Sequence, residues 1–66
     1  MIRDIQRLQV TMEQMERLLR AIEDLRQTVL PQDPKLFALL AEAPLDDLAR
    51  LRQDVHEFVD ELQPTG

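Results

Sequence analysis

The sequence predicts an all-α protein: an antiparallel hairpin of two long helices with a short corner helix between them, dimerising into a helical bundle. Two sets of apolar residues recur at alternating steps of three and four, the spacing of one helix face. The sets are Met15, Leu18, Ile22, Leu25 and Val29, and Leu48, Leu51, Val55, Phe58 and Leu62. Because the break at residues 31–34 separates them, their apolar faces are expected to meet in a hairpin.

Size and composition favour one small domain over residues 1–66. A chain of 66 residues buries only about 60% of its unfolded surface, so a stabilising partner is expected. The chain has no cysteine and one histidine, which leaves no disulfide or thiolate metal site. We therefore expect no metal and no cofactor.

The charge balance argues against nucleic acid as a partner. Thirteen acidic and eight basic residues give a net charge of −5, which repels a phosphate backbone. The N-terminus does not resemble a secretory leader, and no window approaches the roughly 18 apolar residues of a membrane span. The expected location is the cytoplasm, without membrane attachment.

The first ten residues allow two interpretations. Ile5 and Leu8 keep helical spacing and would extend the first helix towards the N-terminus. Thr11 and Gln14 instead read as a capping box, which would start the helix at residue 12. Residues 2–9 are then either the first turns of a long helix or a separate arm.

The first helix is predicted to end near Thr28 to Leu30, because Pro31 disfavours α geometry in the residue before it. Exposed faces of both helices should carry ion pairs in which the acid precedes the base by four residues. These pairs are Glu13 with Arg17, Glu16 with Arg20, and Asp46 with Arg50.

Asp33 followed by Pro34 is typical of a helix cap and first helical position. Pro44 lacks an amide hydrogen, so the helix from Pro34 either ends near Glu42 or kinks. Of the two, we expect a short corner helix from Pro34 to Glu42. A long helix should follow from about Leu45 to Gln63, before Pro64 and Gly66.

Side chains suited to catalysis are sparse. His56 is the one histidine, and its place beside the apolar face favours a partly solvated structural residue over a general base or a pH switch. Adjacent acids, at positions 23–24, 46–47 and 60–61, point about 100° apart on a helix and read as solvated faces. No serine occurs, and no glycine precedes Gly66. We expect no enzymatic activity.

Apolar residues exceed the number that two facing seams need, which predicts a second contact surface. The expected partner is a second copy, in a homodimer or higher helical oligomer. Association is assigned to nine residues. They are Met15, Leu19, Ile22, Leu36, Phe37, Leu40, Leu51, Val55 and Phe58.

Residues 10–25, VTMEQMERLLRAIEDL, resemble the opening segment of small bacterial helix-turn-helix antitoxins and regulators. The proline joint and the acidic helix over Leu45–Leu62 extend this resemblance. It implies a dimerising, toxin-facing or regulatory module. The DNA-reading part that follows the hairpin in that family is absent from this sequence.

A second stretch is similar to helical-hairpin regulators of sporulation phosphorelays. Residues 52–56, RQDVH, match part of their Ser-Gln-acid-Leu-Asp signature, with Arg52 in the serine place and His56 in the aspartate place. The alternative function is therefore a heteromeric adaptor or phosphorelay regulator that docks on another protein.

Overall fold

Two antiparallel helices make up almost all of residues 4–63, which are the residues that this computed structural model describes. Helix α1 spans Ile5–Thr28 and helix α2 spans Pro34–Leu62. At 1.5 Å per residue, their 24 and 29 residues correspond to about 36 and 44 Å. No strand occurs within residues 4–63. The predicted all-α helical hairpin is confirmed.

The two helices meet along one seam whose residues alternate at steps of three and four. Phe58 and Ala41 are buried, with 8% and 1% of their surface exposed, and the other seam residues are half-buried. On α1 and its C-cap they are Leu8, Thr11, Met15, Leu18, Ile22, Leu25 and Val29; on α2 the half-buried ones are Phe37, Pro44, Leu48, Leu51 and Val55.

The seam is mirror-symmetric in sequence about Asp33. Val29 and Phe37 each lie four residues from Asp33, and Leu8 and Phe58 each lie twenty-five residues from it. Every other seam position on one helix likewise has a counterpart at the same separation on the other helix. Because paired positions are equally far from Asp33, they lie at the same level along the axis of an antiparallel hairpin. The turn therefore sets the register of the whole seam.

Helix α1 begins earlier than the capping box at Thr11 would allow. The Asp4 carboxylate accepts a hydrogen bond from the Arg7 amide at 2.8 Å and caps the helix. Thr11 lies inside the helix, where its hydroxyl donates to the Arg7 carbonyl at 2.9 Å. The long-helix interpretation therefore holds from Ile5 onwards, while residues 1–3 lie outside the described part.

The turn between the helices forms as the proline signals predict. Helix α1 ends at Thr28, and the amides of Val29 and Leu30 both donate to the Leu25 carbonyl. The Asp33 carboxylate accepts from the Leu36 amide at 3.0 Å and caps α2, whose first residue is Pro34. Both predicted boundaries are confirmed.

The predicted corner helix over residues 34–42 is wrong, because α2 continues without interruption through Pro44 to Leu62. Proline removes one backbone hydrogen bond and crowds the preceding turn. Here it occupies a half-buried seam position between buried Ala41 and half-buried Leu48. Packing of this face against α1 favours a continuous helix and offsets the local cost of the proline.

Candidate interaction surface

The seam divides the hairpin into two sides, and on one of them polar side chains border the seam near the middle of the hairpin. A groove on this side is lined by Gln14 and Arg17 of α1 together with Asp47 and Arg50 of α2. Arg50 forms an ion pair with Asp47, three residues earlier on the same helix. We call this side the Asp47 flank. The groove shows that these polar positions of the two helices face the same side of the hairpin.

The opposite side carries a line of exposed apolar residues, which we call the Met12 flank. On α1, Ile5, Met12 and Leu19 follow at seven-residue intervals, and on α2, Leu45 and Val59 lie fourteen residues apart. Seven residues are nearly two helical turns, so each set shares one face of its helix. All five side chains are between 40% and 77% exposed. The Met12 flank therefore follows most of the length of the hairpin.

A second exposed apolar group lies near the turn and contains Leu36, Leu39 and Leu40, each at least 40% exposed. Leu40 precedes Asp47 by seven residues and therefore belongs to the Asp47 flank. Leu36, fourteen residues before Arg50, belongs to the same flank. This cluster is compact and does not continue along the hairpin.

The nine residues assigned to association separate into two groups. Six lie in the seam within one chain, and three lie on the surface. The seam residues are Met15, Ile22, Phe37, Leu51, Val55 and Phe58, and the surface residues are Leu19, Leu36 and Leu40. Leu19 lies on the Met12 flank, whereas the other two lie on the Asp47 flank. A single flat contact cannot include all three.

The Met12 flank also contains Ile5, Met12, Leu45 and Val59, which are not among the nine residues assigned to association. Their signal was the seven-residue and fourteen-residue spacing just beside the seam. It becomes readable only once the register of α2 on α1 is known, because either side of the seam could otherwise have carried the apolar surplus.

The Met12 flank carries opposite charges on its two helices. On α1, a groove with Ile5 and Met12 in it is bordered by Glu13 and Glu16. On α2, a second groove is lined by Ala49, Arg52, Gln53 and His56. Arg52 forms no ion pair with another residue of the 4–63 range. Near Met12, the flank thus carries two acids on α1, and near the same level it carries the cation Arg52 on α2.

Exposed ion pairs elsewhere are local to one helix. Arg26 donates to Glu23, with its Nε 2.8 Å from Oε2, and Gln27 donates to the same carboxylate at 3.2 Å. The hydrogen bond from Arg26 is the main reason that the pKa of Glu23 lies below its ordinary value, and the same contact raises the pKa of Arg26. His56 Nε2 lies 3.7 Å from Asp60 Oδ2.

The ion pairs expected from the sequence do not form in the part of the chain that the structure describes. Arg50 forms its ion pair with Asp47 instead of Asp46. Neither Glu13 with Arg17 nor Glu16 with Arg20 reaches ion-pair distance. Exposed pairs gain little free energy, so competing geometries three residues apart can replace them.

No group of three or more potential metal ligands occurs among the described residues. Neither α1 nor α2 contains an apolar stretch long enough to cross a bilayer.

The chain matches no protein-family model, no curated protein and no solved structure.

Proposed function

We propose that this protein is a non-enzymatic, cytoplasmic interaction module that acts as a homodimer. The observation that carries the proposal is the disproportion between core and surface. Only Ala41 and Phe58 are buried among residues 4–63, whereas ten large apolar side chains in the same range are at least 40% exposed. Exposed apolar area on this scale is typical of an association surface.

The total surface supports the same proposal. The chain exposes 5537 Å², whereas a compact monomer of 7.7 kDa is expected to expose about 4,300 Å². The excess, roughly 1,200 Å², is larger than the area of about 800 Å² that each partner contributes to a standard interface. A second copy would bury apolar surface that one hairpin leaves in water.

Sedimentation velocity of the purified chain tests this proposal. At concentrations from about 1 to 100 μM, we expect a species of twice the monomer mass whose fraction rises with concentration. The absence of any species heavier than 7.7 kDa across that range would overturn the homodimer.

We further propose a regulatory role of the antitoxin type, which the resemblance of residues 10–25 to antitoxin hairpins supports. The test begins with the genes beside the one that encodes this chain. We expect an adjacent small reading frame whose product slows growth, and we expect co-expression of this chain to restore growth by binding that product. Unrelieved growth inhibition, or the lack of such a neighbour, would count against this role.

A further inference from the structure

The two apolar surfaces of the hairpin differ in how well they suit a twofold contact with a second copy. The Met12 flank has apolar side chains on both helices and extends from Ile5 to Leu19 along α1. The cluster of Leu36, Leu39 and Leu40 belongs to α2 alone and is confined to the turn end. An interface of standard size needs an extended surface, which the Met12 flank provides.

Resting on the proposed homodimer, we infer that two copies join through their Met12 flanks, with α1 of each copy packed antiparallel on α2 of the other. Charge complementarity between the two helices favours this arrangement. The acidic groove of α1, bordered by Glu13 and Glu16, and the groove of α2 that contains Arg52 and His56 lie on the same flank.

The grooves also lie at similar heights along the hairpin. Met12 lies twenty-one residues before Asp33, and Arg52 lies nineteen residues after it. A twofold axis parallel to the helices leaves the level of each residue along the hairpin unchanged and exchanges the positions of the two helices. It therefore sets α1 of one copy over α2 of the other and brings Arg52 beside Glu13 and Glu16 of the partner subunit.

The alternative twofold axis, perpendicular to the helices, would pack α1 on α1 and α2 on α2. With that axis at the level of Met12 and Arg52, the two Arg52 side chains would approach each other. The acids of the two α1 helices would also face one another. Like charges in contact across an interface oppose association, so the first arrangement is favoured over a perpendicular axis at this level.

Substitution of leucines on the two sides of the hairpin tests which surface is used. Leu19→Glu places a carboxylate in the proposed interface twice, once from each copy, and should weaken dimerisation at least about 100-fold in sedimentation equilibrium. The matched control Leu40→Glu puts the same charge on the Asp47 flank and should leave the dimer constant within about threefold. Circular dichroism at 222 nm checks that both variants remain helical.

A charge exchange tests the pairing of α1 with α2. Arg52→Glu faces the partner's acids and should weaken the dimer about threefold to tenfold, as expected for exposed ion pairs. Adding Glu16→Arg to the same chain should restore at least half of that loss on a logarithmic scale. If the second substitution weakens the dimer further, α1 does not lie against α2 of the partner.

Cysteine cross-linking supplies a geometric test, since the chain has no cysteine of its own. A mixture of Leu19→Cys chains with Leu45→Cys chains in a glutathione redox buffer should give a covalent heterodimer. Met12→Cys chains alone should form no covalent dimer, because the two α1 helices lie diagonally across the bundle. Efficient self-linking of Met12→Cys would overturn the arrangement.

These outcomes separate the two proposals. A monomeric natural chain refutes the homodimer itself. A dimer that survives Leu19→Glu but dissociates with Leu40→Glu leaves the homodimer intact and refutes the Met12 flank as its interface.

Discussion

Replacing Phe58 by alanine should remove a large share of the stability of this hairpin. Phe58 is the larger of the two buried side chains among residues 4–63 and is 8% exposed. Truncation of a buried phenylalanine costs about 3–5 kcal/mol, and we expect about 3 kcal/mol because a two-helix seam is open on both sides. At about 0.05–0.15 kcal/mol per residue, the 66 residues supply a total of roughly 3–10 kcal/mol.

Thermal unfolding followed at 222 nm measures this loss. A change of 1 kcal/mol shifts the melting temperature of a domain this small by about 4–8 °C, so Phe58→Ala should lower it by at least about 12 °C. Leu39→Ala is the matched control on the same helix, because Leu39 is 65% exposed and should change stability by no more than about 0.5 kcal/mol. Both variants are compared with the natural chain at one protein concentration, since dimerisation stabilises the folded state by mass action.

The seam assignment would be refuted if Phe58→Ala and Leu39→Ala melted at the same temperature as the natural chain. It would also be refuted if Leu39→Ala proved the more damaging change, since the larger loss would then follow the outward face of α2. Agreement of the Phe58 result with the expected shift at several concentrations would place the loss within the hairpin.

Three further outcomes are expected. Pro44→Ala should raise the free energy of unfolding, measured with urea, by about 2 kcal/mol. Proline costs about 3 kcal/mol in a helix interior, and burial of half of its ring offsets part of that cost. A lower urea midpoint would show that α2 needs the proline. Asp33→Ala should lose the cap of α2 and cost about 1 kcal/mol, measured in the same way, whereas Asp33→Asn should retain most of it. In NMR titrations, Glu23 should show a pKa below its ordinary 4.5, and Arg26→Gln should raise it, since the hydrogen bond from Arg26 is the main cause. A carboxyl group whose pKa is lower in the folded than in the unfolded state stabilises the fold at pH values above its unfolded-state pKa. This contribution is lost as the pH falls through the folded-state pKa. An unchanged Glu23 pKa in the Arg26→Gln variant would contradict the assigned contact.

Much of the fold was predictable because it depends on local rules. The alternating steps from Met15 to Val29, and those leading to Phe58, mark the seam without knowledge of the partner helix. Asp33 and Pro34 mark the start of α2 through hydrogen bonding that involves only neighbouring residues.

One prediction was wrong and one alternative stayed open where tertiary contacts outweigh a local signal. Pro44 breaks helices in general, but in this chain its neighbours on the seam hold α2 together against α1. Thr11 can cap a helix, yet the capping carboxylate of Asp4 lies one turn before Leu8, whose position pairs with Phe58 at the far end of the seam. In both cases the outcome depends on residues distant in sequence.

The candidate surface was only partly predictable for a related reason. Leu19, Leu36 and Leu40 share apolar character, and the sequence offers no means to tell which side of the hairpin each one faces until the helices are aligned. The groove that joins Gln14 and Arg17 to Asp47 and Arg50 supplies that alignment.

The equal arms on either side of Asp33 also restrict how the length of this protein can change. Inserting or deleting one residue in α1 or α2 would rotate all positions beyond it by about 100° and turn their apolar side chains into water. Removing seven residues from both helices would instead shorten the hairpin by about 10 Å and leave the remaining pairs matched. Its length is therefore free to vary only in paired heptads, added or lost on both sides of the turn together.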